Sequence, residues 1–150
     1  MQEVVLVCDG SAIGNPGPGG FASLLRSGDR ELVLTGGHPA TTNNRMELMA
    51  AIEGLRALKT PCRVELITDS QYTKKGITEW LPRWQGNGWV GASGKPILNQ
   101  DLWHQLEELV QKHEVHWSWT PGHAENRDQN RADELARRAA REQAAELAQH

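Results

Sequence analysis

Four acids, Asp9, Glu47, Asp69 and Asp133, stand where the chain changes from one pattern to another. Asp9 closes the apolar run Val4 to Cys8 and opens a turn rich in Gly, Asn and Pro, while Asp69 closes the alternating stretch Arg63 to Thr68. Glu47 and Asp133 fall in the first turns of two segments with helical period. Taken singly, each acid has an ordinary structural reading. Asp9 would start a turn, Glu47 would meet Arg45 or the helix dipole, Asp69 would cap a helix, and Asp133 would stabilise a helix N-terminus. Gathered by a fold, the same four would repel, each close pair by about 4 kcal/mol at an effective dielectric of about 20. Cations relieve that repulsion. Hard oxygen ligands without a Cys or His cluster favour Mg²⁺ or Mn²⁺ over Zn²⁺, and two such ions about 3.5 to 4 Å apart can clamp the attacking and leaving oxygens of an in-line phosphoryl displacement.

The elements that would position these acids are legible in chain order. Val4 to Cys8 reads as a central strand buried on both faces. Asn15 to Gly20 reads as its turn, and Phe21 to Arg26 and Glu31 to Gly36, on either side of Ser27 to Arg30, complete an antiparallel meander. From Thr42 the period becomes helical, with Leu48, Ile52, Leu55 and Leu58 on one stripe, an N-cap within Thr41 to Asn44, and Pro61 as the stop. Ala50, Ala51 and Gly54 would let this helix lie close to a sheet. Ser70 can cap a second helix carrying Tyr72, Ile77, Trp80 and Leu81; Pro82 is expected to break or kink it, leaving Arg83 to Pro96 as a loop or short helix. Asn99 or Asp101 opens a helix with Leu102, Leu106, Leu109 and Val110 on its stripe. Val115, Trp117 and Trp119 form a last strand, Pro121 to Gln129 a polar loop, and Asn130 onward a helix with Ala132, Leu135, Ala136 and Ala139 on its apolar face.

Bulk properties narrow the classes. The 150 residues suit one α/β domain, 1–150, whose last ten or so residues are expected to fray. A formal net charge of −3 does not advertise a nucleic-acid binder, so any such binding must come from a local basic patch. Cys8 and Cys62 are the two cysteines and suit free thiols in a reducing cytoplasm. No signal-like N-terminus or membrane-length apolar run appears.

The order β, β, β, α, β, α, α, β, α, with the four acids at those places, resembles type 1 ribonuclease H of the bacterial kind across nearly the whole chain. The resemblance is carried by DGSAIGNPGPGG at Asp9, TTNNRMELMA around Glu47, TDSQY at Asp69, GITEWLPRWQGNGW, DLW at Asp101, and PGH with DELAR around Asp133. Each string is weak alone; together, in this order, they are specific. The resemblance implies an α/β ribonuclease H-like fold, a mixed five-stranded sheet with helices on both faces, and endonucleolytic hydrolysis of the RNA strand of RNA–DNA hybrids with two Mg²⁺ ions, leaving 3′-hydroxyl and 5′-phosphate ends. It further implies that Asp9 bridges both metals, that Glu47 and Asp69 hold the water-activating metal, and that Asp133 helps hold the one facing the leaving oxygen. His123 matches the family's mobile histidine, for proton transfer or product departure. Asp101, Glu125 and Asp128 match no motif position and read as structural or surface acids, and the remaining histidines as structural or exposed.

A protein that cuts only RNA must read the 2′-hydroxyl. By resemblance, the Gly10 and Ala12 backbone with Asn15, Asn43, Gln71 and Glu47 line the hybrid's minor groove, and Thr42 and Asn43 contact the DNA strand. Trp80, Trp84 and Trp89 with Lys74, Lys75, Arg83 and Lys95 resemble the family's basic protrusion. Core packing is the competing expectation for these tryptophans, favoured for Trp80, Trp117 and Trp119. Here the sequence departs from the commoner pattern: Gln85, Gly86, Asn87 and Gly88 stand where a Lys/Arg cluster is often found, and Arg83 takes a place often held by Asn. The expected partner is a hybrid duplex, with no membrane, and the expected state a cytoplasmic monomer. A same-fold nuclease acting on branched DNA and a non-catalytic hybrid-binding module are the alternatives.

Overall fold

The computed structural model describes residues 1–119 and 127–149. Five strands, β1 (Gln2–Ala12), β2 (Gly17–Ser27), β3 (Arg30–Thr41), β4 (Cys62–Thr68) and β5 (Glu114–Trp119), form one sheet in the order β3-β2-β1-β4-β5. The first three pair antiparallel; β4 and β5 run parallel to β1. The fold is therefore α/β with a mixed five-stranded sheet, as expected.

Alternation along β1 sends Val4, Leu6 and Cys8 to one face and Val5 and Val7 to the other. The first face is covered by α1 (Asn43–Arg56) and α4 (Gln100–Lys112), the second by α5 (Arg127–Ala148), whose Ala132 and Ala136 lie on Val7, Ala22 and Leu24. Small residues set the α1 distance. Leu6 occupies the space a side chain at Gly54 would need, and Ser23 Oγ donates 2.6 Å to the Ala50 carbonyl. Thr42 caps α1, its hydroxyl oxygen accepting the Arg45 N–H at 3.2 Å.

Three local expectations are corrected. Gly17 to Gly20 belong to β2, not to the turn, with Gly19 opposite Ala12 and Gly20 opposite Ser11. Ala136 to Ala140 of α5 lie against Gly20, so this glycine serves close packing on an extended strand. Of the break or kink expected at Pro82, the break is absent, and the stretch after it opens with a short helix, one of its two expected forms. The helix after Asp69 continues from α2 (Gln71–Lys75) through a π-helical turn, Gly76–Trp80, into α3 (Leu81–Asn87). The Leu81 N–H reaches back five residues to Gly76 O, and Pro82 enters in the first turn of α3, where a missing N–H is tolerated. Gly88, at φ 74°, ends α3 in the left-handed conformation, and Trp89 follows it and stacks on His104 of α4 with ring centroids 3.7 Å apart. Finally, α5 begins at Arg127, three residues before the helical pattern becomes legible. Among the described residues, no helix is long and apolar enough to cross a membrane.

Candidate active site

Parallel pairing of β1 and β4 brings two of the acids side by side. Val7 lies opposite Ile67, and two residues further on come Asp9, still within β1, and Asp69, just past the end of β4. Glu47 arrives from the first turns of α1, which sits against Gly10 so closely that a Cβ there would collide with the Met46 and Glu47 backbone. The Gly10 N–H is shared between Asp9 Oδ1 at 2.8 Å and Glu47 Oε1 at 3.1 Å. Asp69 is held by the turn that opens α2. The Ser70 N–H donates to Thr68 Oγ1 at 3.1 Å, and Ser70 Oγ accepts the Thr73 N–H at 3.1 Å. One carboxylate oxygen from each of Asp9, Glu47 and Asp69 lies within 4.8 Å of the others.

Electrostatically this group is uncompensated. Among the described residues no ion pair reaches any of the three. Arg45, the basic residue nearest Glu47 in the sequence, points away from it on α1 and clasps Asp101 of α4 at 2.7 and 3.0 Å and Asn99 at 3.2 Å. Asp9 is 3 % exposed, and burial pushes its pKa up to about 7, with the charges of Asp69 and Asp133 adding to the rise. Burial also raises Glu47, with the Asp9 charge next, and raises Asp69, with the Asp133 charge adding. The neighbouring Cys8 thiol is pushed up by burial and by Glu47 and Asp9, which leaves it a protonated, inert member of the core.

Asp9 Oδ2 and Glu47 Oε2 are buried without a hydrogen-bond donor among the described residues. A buried carboxylate oxygen without a donor is expensive, and a divalent cation bound by hard oxygens is the group that three such carboxylates fit. Asp133 stands outside the 4.8 Å group, half-buried on α5 beside Ala132, and is paired with Arg137 at 3.2 Å. It is near enough for its charge to act on both Asp9 and Asp69.

The amide-bearing residues form a cluster of their own at the mouth of β1. Asn43 Oδ1 accepts the Ala12 N–H at 2.6 Å, and the Asn43 N–H reaches Asn15 Oδ1 at 3.3 Å. The Ala12 and Gly10 amides are thus spent within the protein, and the side-chain NH₂ groups of Asn15 and Asn43 remain as outward donors. Thr42 is half-buried at the α1 cap, and Gln71, Lys74 and Lys75 are exposed on α2, with Lys75 Nζ 5.9 Å from the Trp80 ring centroid. Arg83 is exposed on α3.

Of the tryptophans, Trp80 and Trp89 are half-buried and Trp84 is buried. Trp84 packs against Trp80, Trp89 and Trp103 at centroid distances of 6.2, 5.5 and 5.8 Å. Its ring thus underlies Trp80 and Trp89. Trp117 and Trp119 are half-buried and stack on each other at 5.6 Å. Asp128, read as a surface acid, anchors α5 to Arg26 at 2.9 and 3.1 Å. His123 and Glu125 lie outside the described residues. Sequence reading missed Gln129, whose Nε2 donates 3.1 Å to the Cys8 carbonyl next to Asp9. It also missed the Arg45–Asn99–Tyr72 chain behind Glu47. In both cases the partners lie far apart in the chain, and no local period marks them.

Three acids converging at the carboxyl end of the central strands of a mixed sheet, with buried oxygens left for a cation, define the class: an α/β domain with a carboxylate centre built to bind metal. The model of the RNase H family matches residues 1–141. The Ribonuclease H of Solibacter usitatus is 55 % identical over 143 residues, 95 % of this chain and 98 % of that protein. The crystal structure of LC9-RNase H1, described as a type 1 RNase H with the type 2 active-site motif, superposes with a TM-score of 0.85 at 35 % identity, over 95 % of this chain and 74 % of that one. At 21 % identity and a TM-score of 0.69, LC11-RNase H1, solved in complex with an RNA/DNA hybrid, shares the fold over 93 % of this chain and 97 % of its own. The chain belongs to the RNase H family, a family of metal-dependent nucleases.

Proposed function

We propose that this enzyme cuts the RNA strand of RNA–DNA hybrids endonucleolytically by two-metal-ion catalysis, leaving 3′-hydroxyl and 5′-phosphate ends. The observation that carries the reading is the carboxylate group itself: three acids within 4.8 Å, two of their oxygens buried with no protein donor among the described residues. Asp9, Glu47 and Asp69 would hold one divalent cation, and Asp9 with Asp133 a second. Mg²⁺ is the expected ion and Mn²⁺ a workable substitute. Bound there, the cations would supply charge neutralisation, a more acidic attacking water and stabilisation of the leaving oxygen.

The chain's own residues do the rest. The Gly10 amide keeps Asp9 and Glu47 aimed at a common point. Asn15 and Asn43, fixed by each other and by Ala12, offer their NH₂ groups to the minor groove, where the 2′-hydroxyl separates RNA from DNA. Thr42 and Gln71 flank them, Lys74, Lys75 and Arg83 meet phosphates, and Trp80 and Trp89 supply apolar surface. His123 takes a proton or helps product leave. The buried free thiols of Cys8 and Cys62 suit a cytoplasmic protein, and we read it as a monomer.

The test incubates wild type and Asp9→Asn with labelled RNA–DNA, DNA–DNA and RNA–RNA duplexes, with Mg²⁺ and with chelator. Cutting confined to the RNA of the hybrid, dependent on metal and lost in a folded Asp9→Asn, supports the reading. Hybrid bound but uncut under both Mg²⁺ and Mn²⁺ would make the chain a binding module, and cutting of branched DNA instead would overturn the substrate.

A further inference from the structure

The face that α5 turns to the sheet is built mostly of alanine. Its buried residues are Gln129, Ala132, Ala136, Ala139 and Ala140, and Ala132 and Ala136 lie on Val7, Ala22 and Leu24. Methyl groups on an apolar surface hold a helix close, but that contact is non-directional, and the helix can slide along the sheet at little cost. Gln129 is the exception on this stripe. It is 2 % exposed, and its Nε2 donates to the Cys8 carbonyl of β1 at 3.1 Å. A carboxamide buried where alanine would pack is costly unless it is bonded, and the bond it makes is directional, so it sets where along β1 the helix rests. The ion pairs Arg26–Asp128 and Arg131–Glu31 also tie α5 to β2 and β3, but through long, solvent-accessible side chains that give readily.

What stands beside each end of the Gln129 bond makes that resting place matter. Cys8 precedes Asp9, whose Oδ2 is buried without a donor among the described residues. Asp133 follows Gln129 by four residues, about one turn further along α5. Asp9 and Glu47 share the Gly10 amide, whereas Asp133 lies outside their group, and its ion-pair partner Arg137 sits on the same helix and cannot fix it against β1. We propose that Gln129 is a positioning residue: its bond to the Cys8 carbonyl fixes the separation of Asp133 from Asp9, and with it the affinity of the cation site those two carboxylates share. The inference rests on the function proposed above. Gln129 acts through Asp133, and a residue that orients a metal-binding carboxylate in this way changes metal affinity by about tenfold or more.

The test uses three variants. Gln129→Met keeps the length of the side chain and removes the donor, Gln129→Asn keeps a donor one methylene short, and Leu24→Ala loosens the same α5 interface while leaving the bond in place. Cleavage of a labelled hybrid is followed against Mg²⁺ concentration, hybrid affinity is measured in chelator, and the metal-free proteins are crystallised. Gln129→Met should raise the Mg²⁺ concentration for half-maximal cleavage about tenfold, with hybrid affinity in chelator unchanged. Gln129→Asn should shift it in the same direction by less, and decides the matter if Gln129→Met does not fold. In crystals of the Gln129 variants the Asp133 carboxylate should stand displaced from Asp9, while Asp9, Glu47 and Asp69 keep their places. Leu24→Ala should melt lower than wild type and keep its Mg²⁺ dependence. An unshifted Mg²⁺ dependence in a folded Gln129 variant overturns the proposal, as does an unmoved Asp133. An equal shift in Leu24→Ala would reduce Gln129 to packing, and a loss of hybrid affinity in chelator would move it to the binding surface; either overturns the proposal too. Wild type that leaves the hybrid uncut with Mg²⁺ sinks the proposed function and this inference together, whereas wild type that cuts, with Gln129 variants that match its Mg²⁺ dependence, sinks this inference alone.

Discussion

Asp9 shows what a single buried carboxylate does to this protein when no cation is bound. Burial pushes its pKa up to about 7 from an ordinary 3.8, so between about pH 4 and pH 7 the folded chain keeps a proton that the unfolded chain has given up. Folded-state proton excess means that stability falls as pH rises through that window and stays at its lower value above it. Asp9→Asn removes the charge and keeps the shape. In chelator at about pH 8 the variant should melt above wild type, with the gap closing as pH falls toward about 4. Mg²⁺ should raise the wild-type melting temperature and narrow the gap, because a ligand that binds only the folded state stabilises it. Melting curves by circular dichroism decide this, and a variant that melts lower than wild type at the upper pH contradicts it. Hybrid cleavage by the same variant should drop by about a hundredfold or more, since each point of transition-state charge stabilisation is worth that order.

Between elements, the contact that matters most for the site is β1 against α1 at Gly10. Any Cβ there meets the Met46 and Glu47 backbone, so Gly10→Ala must push the start of α1 away from the strand. We expect a loss of about 1–3 kcal/mol in urea unfolding, as for other overpacked sites, together with weaker Mg²⁺ binding as Glu47 leaves the Gly10 amide. Unchanged Mg²⁺ affinity in the folded variant would mean that Glu47 does not depend on this seat. Gly86 is the contrasting case. It lies exposed inside α3 with nothing near a Cβ, and a side chain there only reduces the freedom of the unfolded chain. Gly86→Ala should therefore raise stability by about 0.5–1 kcal/mol without altering cleavage.

For the whole molecule, charge is the useful quantity. With a net charge of −3, attraction to a hybrid depends on a few local cations, and those that the sequence places on the protrusion are Lys74, Lys75, Arg83 and Lys95. Each phosphate neutralised adds roughly 0.9 to the slope of log affinity against log salt, so four contacts predict a slope of about −4 or shallower. Titrating hybrid binding against KCl measures it. A slope as steep as that of a strongly basic relative would place the binding surface elsewhere, for instance along Arg127, Arg131 and Arg138 of α5.

The four acids, the strand that carries Asp9 and the helix that carries Glu47 were legible in the chain because each is a local pattern: an apolar run, a capping Thr, a stripe at helical spacing. The apolar run marked the strand only as far as Asp9, whereas β1 continues to Ala12. What local pattern could not supply is neighbourhood. Asp9 meets Asp69 through the parallel register of β1 and β4, and Arg45 finds its acid, Asp101, on another helix. Trp84 and Trp80 share a helical segment, yet only packing against Trp103 tells that one is buried and the other half-exposed. Gly17 to Gly20 read as a turn because glycine suits turns, and they are strand because β1 and β3 pair with them, Gly20 also giving α5 room. Propensity and period act over a few residues, whereas burial and charge pairing are settled by whichever distant surfaces the sheet brings together.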